Sequence, residues 1–241
     1  METLYFIVLI SFLGPIIGSL IGVIKKPSKR FMYNLLAFAA GIMLAISLMD
    51  LIPEGIEFSG VLVCAVGVGV GALVMYFLDR LIPHIHPELC RPENGRELEK
   101  VALFIIIGIF LHNLPEGMAI AAGYVSGEGM AGITIAIAIA IHNIPEGIAT
   151  AAPYYQATGK RLKAFLLSAS TALPVVIGFL IAQFLFAEIP ELFLGLLFGV
   201  TAGIMIYICA DELIPASFNK GHSTIFSLIA GIIVFILLGL L

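Results

Sequence analysis

Charge is what this chain has least of. Only 12% of its 241 residues are Asp, Glu, Lys or Arg, and 61% are hydrophobic. A soluble domain carries roughly a quarter charged residues, so a water-soluble globular fold is excluded. Cysteine is scarce as well: Cys64, Cys90 and Cys209 are an odd number with no CxxC spacing, which argues against a disulfide framework. There is no GxxxxGK[ST] stretch and no soluble domain, so nothing here resembles an ATP site. No basic stretch precedes the first apolar run, only Met1, Glu2 and Thr3, and that run reads as a retained helix and not a cleaved signal.

What the chain does have is apolar runs. Eight can be read, at about 4–24, 31–52, 60–82, 101–125, 129–151, 162–186, 190–214 and 222–241, and the mean hydropathy is +1.12. Each is close to the roughly 20 residues a helix needs to cross a hydrocarbon core about 30 Å thick. The runs are continuous and too long for the alternating strands of a membrane barrel. The expected fold is an all-α integral membrane protein, one transmembrane domain over 1–241 with eight transmembrane helices and a cytoplasmic loop at about 83–100.

The basic residues orient it. Lys25, Lys26, Lys29, Arg30, Arg80, Arg91, Arg96, Lys100, Lys160, Arg161, Lys163 and Lys220 are all 12 Lys and Arg of the chain. With eight spans they all fall on one face, which the positive-inside rule makes cytoplasmic. Both termini then face outward. The outer loops hold acids alone: Glu54, Glu57, Glu128, Glu188 and Glu191. Two stretches, "AGIMLAISLMDLIPEG" from Ala40 and "AGIMIYICADELIPAS" from Ala202, align without a gap. They lie on spans 2 and 7, which run in opposite directions. That is the sign of an inverted repeat, relating helices 1–3 to helices 6–8 around a central pair, 4 and 5.

That central pair carries the polar residues. "LHNLPEGMAI" begins at Leu111 and "IHNIPEGIAT" at Ile141. His112 and Glu116 are four residues apart and share a helix face, with Asn113 beside them; His142, Asn143 and Glu146 repeat the arrangement. Pro115 and Pro145 free a backbone carbonyl, which lipid tolerates only where protein or a wet cavity covers it. A lone glutamate at mid-membrane costs about 2.5 kcal/mol or more, and two facing each other cost more unless protonated or bridged by a cation. Two carboxylates balance one divalent ion, and two imidazoles are the nitrogen ligands borderline metals prefer. The set suits Zn²⁺, with Fe²⁺, Mn²⁺, Co²⁺ and Cd²⁺ also accommodated; Mg²⁺ and Ca²⁺ want more oxygen.

On these paired motifs the chain resembles the Zrt-/Irt-like protein (ZIP) family of divalent metal transporters, over essentially its whole length. The resemblance implies a zinc site between spans 4 and 5 with His112, Glu116, His142 and Glu146 as primary ligands. It also implies a neighbouring metal bridged by the glutamates and touched by Asn113 and Asn143. Bacterial members with that second site have a Glu just before the Pro of span 6; here Leu173 precedes Pro174, so one good site is expected. The family further implies a Met43 thioether at the metal, a homodimer, and movement of spans 1, 4, 5 and 6 against 2, 3, 7 and 8.

Further candidates are acids and histidines along a path. Asp50 and Glu54 form an acidic entrance that concentrates cations, and Asp211 and Glu212 mark the exit. His84, His86 and Cys90, in the longest loop, make a weak, exchangeable cytoplasmic site. Gly67 and Gly71 have the GxxxG spacing of a close helix contact, within the chain or in a dimer.

The expected function is passage of a divalent metal into the cytoplasm of a prokaryote through its inner (plasma) membrane, with the lipid bilayer as surroundings and no nucleic-acid partner. The competing reading is an intramembrane zinc-dependent hydrolase. It lacks the HExxH pattern, because Asn follows His112, and it needs a glutamate free of metal.

Overall fold

Buried in lipid, a backbone must satisfy its own hydrogen bonds, and a helix does so within one segment. The computed structural model describes residues 2–81, 96–125, 129–185, 190–218 and 221–238, and every element among them is helical. The helices are α1 (Glu2–Ile24), α2 (Lys29–Ile46), α3 (Ile52–Leu81), α4 (Arg96–Val125), α5 (Gly129–Thr158), α6 (Arg161–Ala169), α7 (Leu173–Leu185), α8 (Glu191–Ile208), α9 (Ile214–Phe218) and α10 (His222–Leu238). Helical stretches long and apolar enough to cross a bilayer cover Lys29–Arg80, Arg161–Phe184 and Glu191–Ser217. Shorter apolar helices cover Val8–Ile24, Ala102–Met118 and His222–Leu237. The chain is a helical membrane protein, and large side chains such as Leu62, Phe184 and Phe226 face outward, where lipid would cover them. His84, His86 and Cys90 lie outside the described residues.

The boundary read between the second and third apolar runs shifts. Helix continues past Pro53, and the chain turns at Gly60, with φ 80° and ψ 163°, a conformation that glycine adopts without steric cost. The reason Pro53 does not stop the helix lies just before it. A proline lacks an N–H, and its ring displaces the carbonyl one turn back. Here one wider turn of π-helix, Ser47–Leu51, precedes it, and the Ile52 N–H reaches back to the Ser47 carbonyl. Pro215 follows a second such turn, Cys209–Leu213, where the Ile214 N–H reaches the Cys209 carbonyl. These five-residue bonds absorb the proline without breaking the rod. The two π turns occupy the same register in the two stretches that align in sequence.

The helices associate in two sets. α1, α4, α5, α6 and α7 pack on one another, as do α2, α3, α8, α9 and α10; between the sets the main contacts are α4 on α8 and α2 on α5. Within each set glycines bring backbones together reciprocally. A Cβ on Gly71 of α3 would fall on the Val200 carbonyl oxygen of α8, and one on Gly203 of α8 on that of Val68. Gly18 and Gly147 bind α1 to α5 in the same way. Gly67 likewise meets the α8 backbone, so the GxxxG face packs within the chain. Between the sets, Gly108 of α4 faces side chains instead, the ends of Ile208 and Met75.

Gly71→Ala should therefore lower stability by about 1–3 kcal/mol, the usual effect of overpacking. Gly69→Ala, where nothing lies within 4 Å, should be neutral or stabilising, since helical glycine costs about 1 kcal/mol against alanine. Thermal unfolding of the detergent-solubilised variants checks both.

Candidate metal centre

Both polar motifs lie inside unbroken helices: α4 continues through Pro115 and α5 through Pro145 and Pro153. The four-residue spacing then puts each His over its Glu, and the α4–α5 contact turns the two faces toward one another. The imidazoles reach across. His112 Nε2 lies 3.6 Å from Glu116 Oε1 on its own helix and 3.4 Å from Glu146 Oε2 on α5. His142 Nε2 lies 3.1 Å from Glu116 Oε1 on α4. The Asn143 amide donates to Glu116 Oε2 at 3.4 Å, and the Asn113 amide donates to the Thr171 carbonyl at 2.6 Å.

These groups are out of solvent. His112, Asn113 and Asn143 are completely buried and the two glutamates nearly so; only the His142 side chain keeps 12% of its surface. The amide oxygens of Asn113 and Asn143 are buried and accept no hydrogen bond among the described residues. A buried acceptor without a donor is costly, and a cation would relieve it. The spacing fits one. Four ligands set tetrahedrally about zinc at about 2.0–2.1 Å lie about 3.3–3.4 Å apart, close to the nitrogen–oxygen separations of 3.1, 3.4 and 3.6 Å. An imidazole nitrogen must shed its proton to bind metal, so protons and metal compete here.

The structure thus brings together His112, Asn113, Glu116, His142, Asn143 and Glu146. Met43 is fully buried in an apolar cluster with Ile46, Ile105, Ile109, Met205 and Ile208. Asp50, exposed on the first π turn, lies within electrostatic reach of His142, and Glu54 lies within reach of Asp50 and Glu57. Asp211 and Glu212 sit on the second π turn. With Asp79 of α3 they bring their carboxylate oxygens within 4.8 Å of one another. Sequence spacing does not reveal Asp79, which lies on another helix far along the chain; the only signal is an acid inside the apolar end of a span. Leu173 is half exposed and supplies no ligand atom.

The family model described as ZIP Zinc transporter matches residues 2–101 and 89–240. Among relatives, a "Zinc transporter ZupT" of Escherichia coli O7:K1 (strain IAI39 / ExPEC) is 39% identical over 207 residues, covering 83% of this chain and 80% of that one. Another "Zinc transporter ZupT", of Enterobacter sp. (strain 638), is 38% identical over 209 residues with the same coverages. The chain belongs to the ZIP family. In this ZIP protein the second matched segment includes both HN-x-PEG motifs, so the family match and the buried centre coincide on α4 and α5.

If this centre binds zinc, the ion should stabilise the fold by linkage. At about 100 times its dissociation constant Zn²⁺ should add about 2.7 kcal/mol, visible as a raised unfolding temperature. The Glu116→Gln/Glu146→Gln double variant should lose that shift.

Proposed function

We propose that this ZIP protein carries divalent transition-metal cations, zinc foremost, into the cytoplasm through the centre between α4 and α5. The observation that carries this reading is the buried set of two imidazoles and two carboxylates at zinc-like separations. His112, Glu116, His142 and Glu146 are the primary ligands, with the free amide oxygens of Asn113 and Asn143 beside them. Zinc is the cargo, and Cd²⁺, Fe²⁺, Mn²⁺ and Co²⁺ share the ligand preferences that admit it. Because Leu173 offers no donor, the centre holds one ion well. Met43 stands in the apolar wall next to α4, where its thioether is a secondary ligand at most.

The path has an acidic station on each side. Glu57, Glu54 and Asp50 lead toward His142, the one ligand with exposed surface. Asp79, Asp211 and Glu212 form the station at the other end, and His84, His86 and Cys90 offer the ion a weak, exchangeable cytoplasmic site. We read the fold as eight spans with both termini outside, lying in a prokaryotic inner membrane as a homodimer. The paired π turns support the inverted repeat. The two helix sets support a mechanism in which α1, α4, α5, α6 and α7 move as a body against the rest. Glycine-mediated backbone contacts hold each set together, whereas at Gly108, where α4 meets the other set, the neighbours are the side chains of Ile208 and Met75. This is a transporter and not an enzyme: both glutamates face His112, which leaves neither as the free base a hydrolase requires.

Uptake of Zn²⁺ and Cd²⁺ into proteoliposomes tests it. Flux should saturate in the wild type and collapse in Glu116→Ala and Glu146→Ala. An inside-negative potential should drive it, because each charge gains about 2.3 kcal/mol per 100 mV. Tight metal binding without flux would overturn the transport reading.

A further inference from the structure

Three hydroxyls meet in the interior one turn beyond Glu146. Ser19 of α1, Thr150 of α5 and Ser168 of α6 are all completely buried. Ser168 Oγ lies 2.6 Å from Ser19 Oγ and in short contact with Thr150 Oγ1, and it donates to the Gly147 carbonyl at 3.0 Å. Thr150 Oγ1 lies 3.0 Å from the carbonyls of both Glu146 and Gly147, and Ser19 Oγ 2.6 Å from that of Pro15. Each hydroxyl has one proton, so the three share these carbonyls and one another's oxygens.

Most hydroxyls among the described residues bond back to their own helix, as Ser47 does to Met43 and Thr201 to Leu197; that contact links nothing to anything else. Ser168 differs, since its hydrogen-bonding neighbours here are on α1 and α5. Three residues further on, the same strand of backbone holds the other half of the centre. Thr171 Oγ1 donates to the Ser168 carbonyl at 2.7 Å, and the Thr171 carbonyl accepts the Asn113 amide of α4. α5, which carries His142 and Glu146, is therefore tied to Ser168. α4, which carries His112 and Glu116, is tied to Thr171.

We infer that the Ser168–Thr171 turn, clasped by Ser19 and Thr150, is a positioning platform that fixes the separation of the two ligand pairs and so tunes the centre's affinity for metal. Ser19, Thr150 and Ser168 touch no ion; they act through Glu146 and its turn. This rests on the reading of the centre as the transported metal's site. Loosening either tie lets α4 and α5 shift relative to each other, and a metal site depends steeply on such shifts, because its ligands must converge on one point.

The test compares wild type, Thr150→Val (same shape, no hydroxyl), Thr150→Ser (hydroxyl kept) and Ser168→Ala. Zn²⁺ uptake into proteoliposomes and equilibrium Zn²⁺ binding to the solubilised protein are both measured, and metal-free unfolding temperatures establish that each variant is folded. Thr150→Val and Ser168→Ala should raise KM and Kd about tenfold, the low end of what losing a group that holds a metal ligand does. Maximal flux should stay within about twofold, and Thr150→Ser should keep wild-type values. If Thr150→Val fails to fold, Ser168→Ala decides by the same measure. Unchanged KM and Kd in the folded variants, beside a wild type that Glu146→Ala abolishes, would reduce the clasp to helix packing. Zinc binding by the wild type without flux would sink the transport reading alone, and Kd would still decide the clasp. A wild type that neither binds nor transports zinc would overturn both.

Discussion

Two carboxylates and two imidazoles enclosed between α4 and α5 are the constraint around which the rest of this protein is arranged. Unpaired charge in a bilayer costs about 2.5–3.5 kcal/mol per group even by the lenient insertion scales. The groups must therefore meet each other, and they do so at 3.1–3.6 Å. The pairing is incomplete: an imidazole nitrogen bonds the carboxylate it faces only while that nitrogen carries a proton, and the asparagine oxygens beside them accept no hydrogen bond among the described residues. A divalent cation offsets the two carboxylates and takes the two imidazoles as neutral ligands.

Holding such a site to a fraction of an ångström requires stiff walls, and glycine provides them. Where Gly18 and Gly147 meet, α1 and α5 approach until backbone touches backbone. Dispersion and close fit are the main forces between helices in lipid, where no hydrophobic effect draws them together. The contrast with the junction of the two sets matters for the proposed mechanism. Ile208, Met75 and Ile105 meet there through flexible side chains, which can exchange partners as interlocked backbones cannot.

Much of the candidate site is legible along the chain because its geometry is local. His112 with Glu116, and His142 with Glu146, need only helical periodicity to share a face, and the doubling of the motif indicates that the faces belong together. The echo between spans 2 and 7 is equally local, yet its meaning is not: the shared "LIP" marks a π turn before each proline, and nothing in residue spacing distinguishes that from an ordinary helix end. Gly60 shows the same limit. Pro53 is the stronger breaker on paper, but a wider turn upstream disarms it, so the chain turns where a glycine allows φ 80°.

The sequence by itself determined the class, the apolar helices, the paired His and Glu motifs and the family, because composition and helical period are properties of a chain read in order. Tertiary structure alone decided which distant residues share a point in space. It joined Asp79 to Asp211 and Glu212, enclosed Met43 among aliphatic neighbours, and brought Ser19, Thr150 and Ser168 together beneath Glu146. Those groupings depend on which helices lie side by side, and that follows from how small residues let three-dimensional surfaces interlock, a relation that no one-dimensional spacing records.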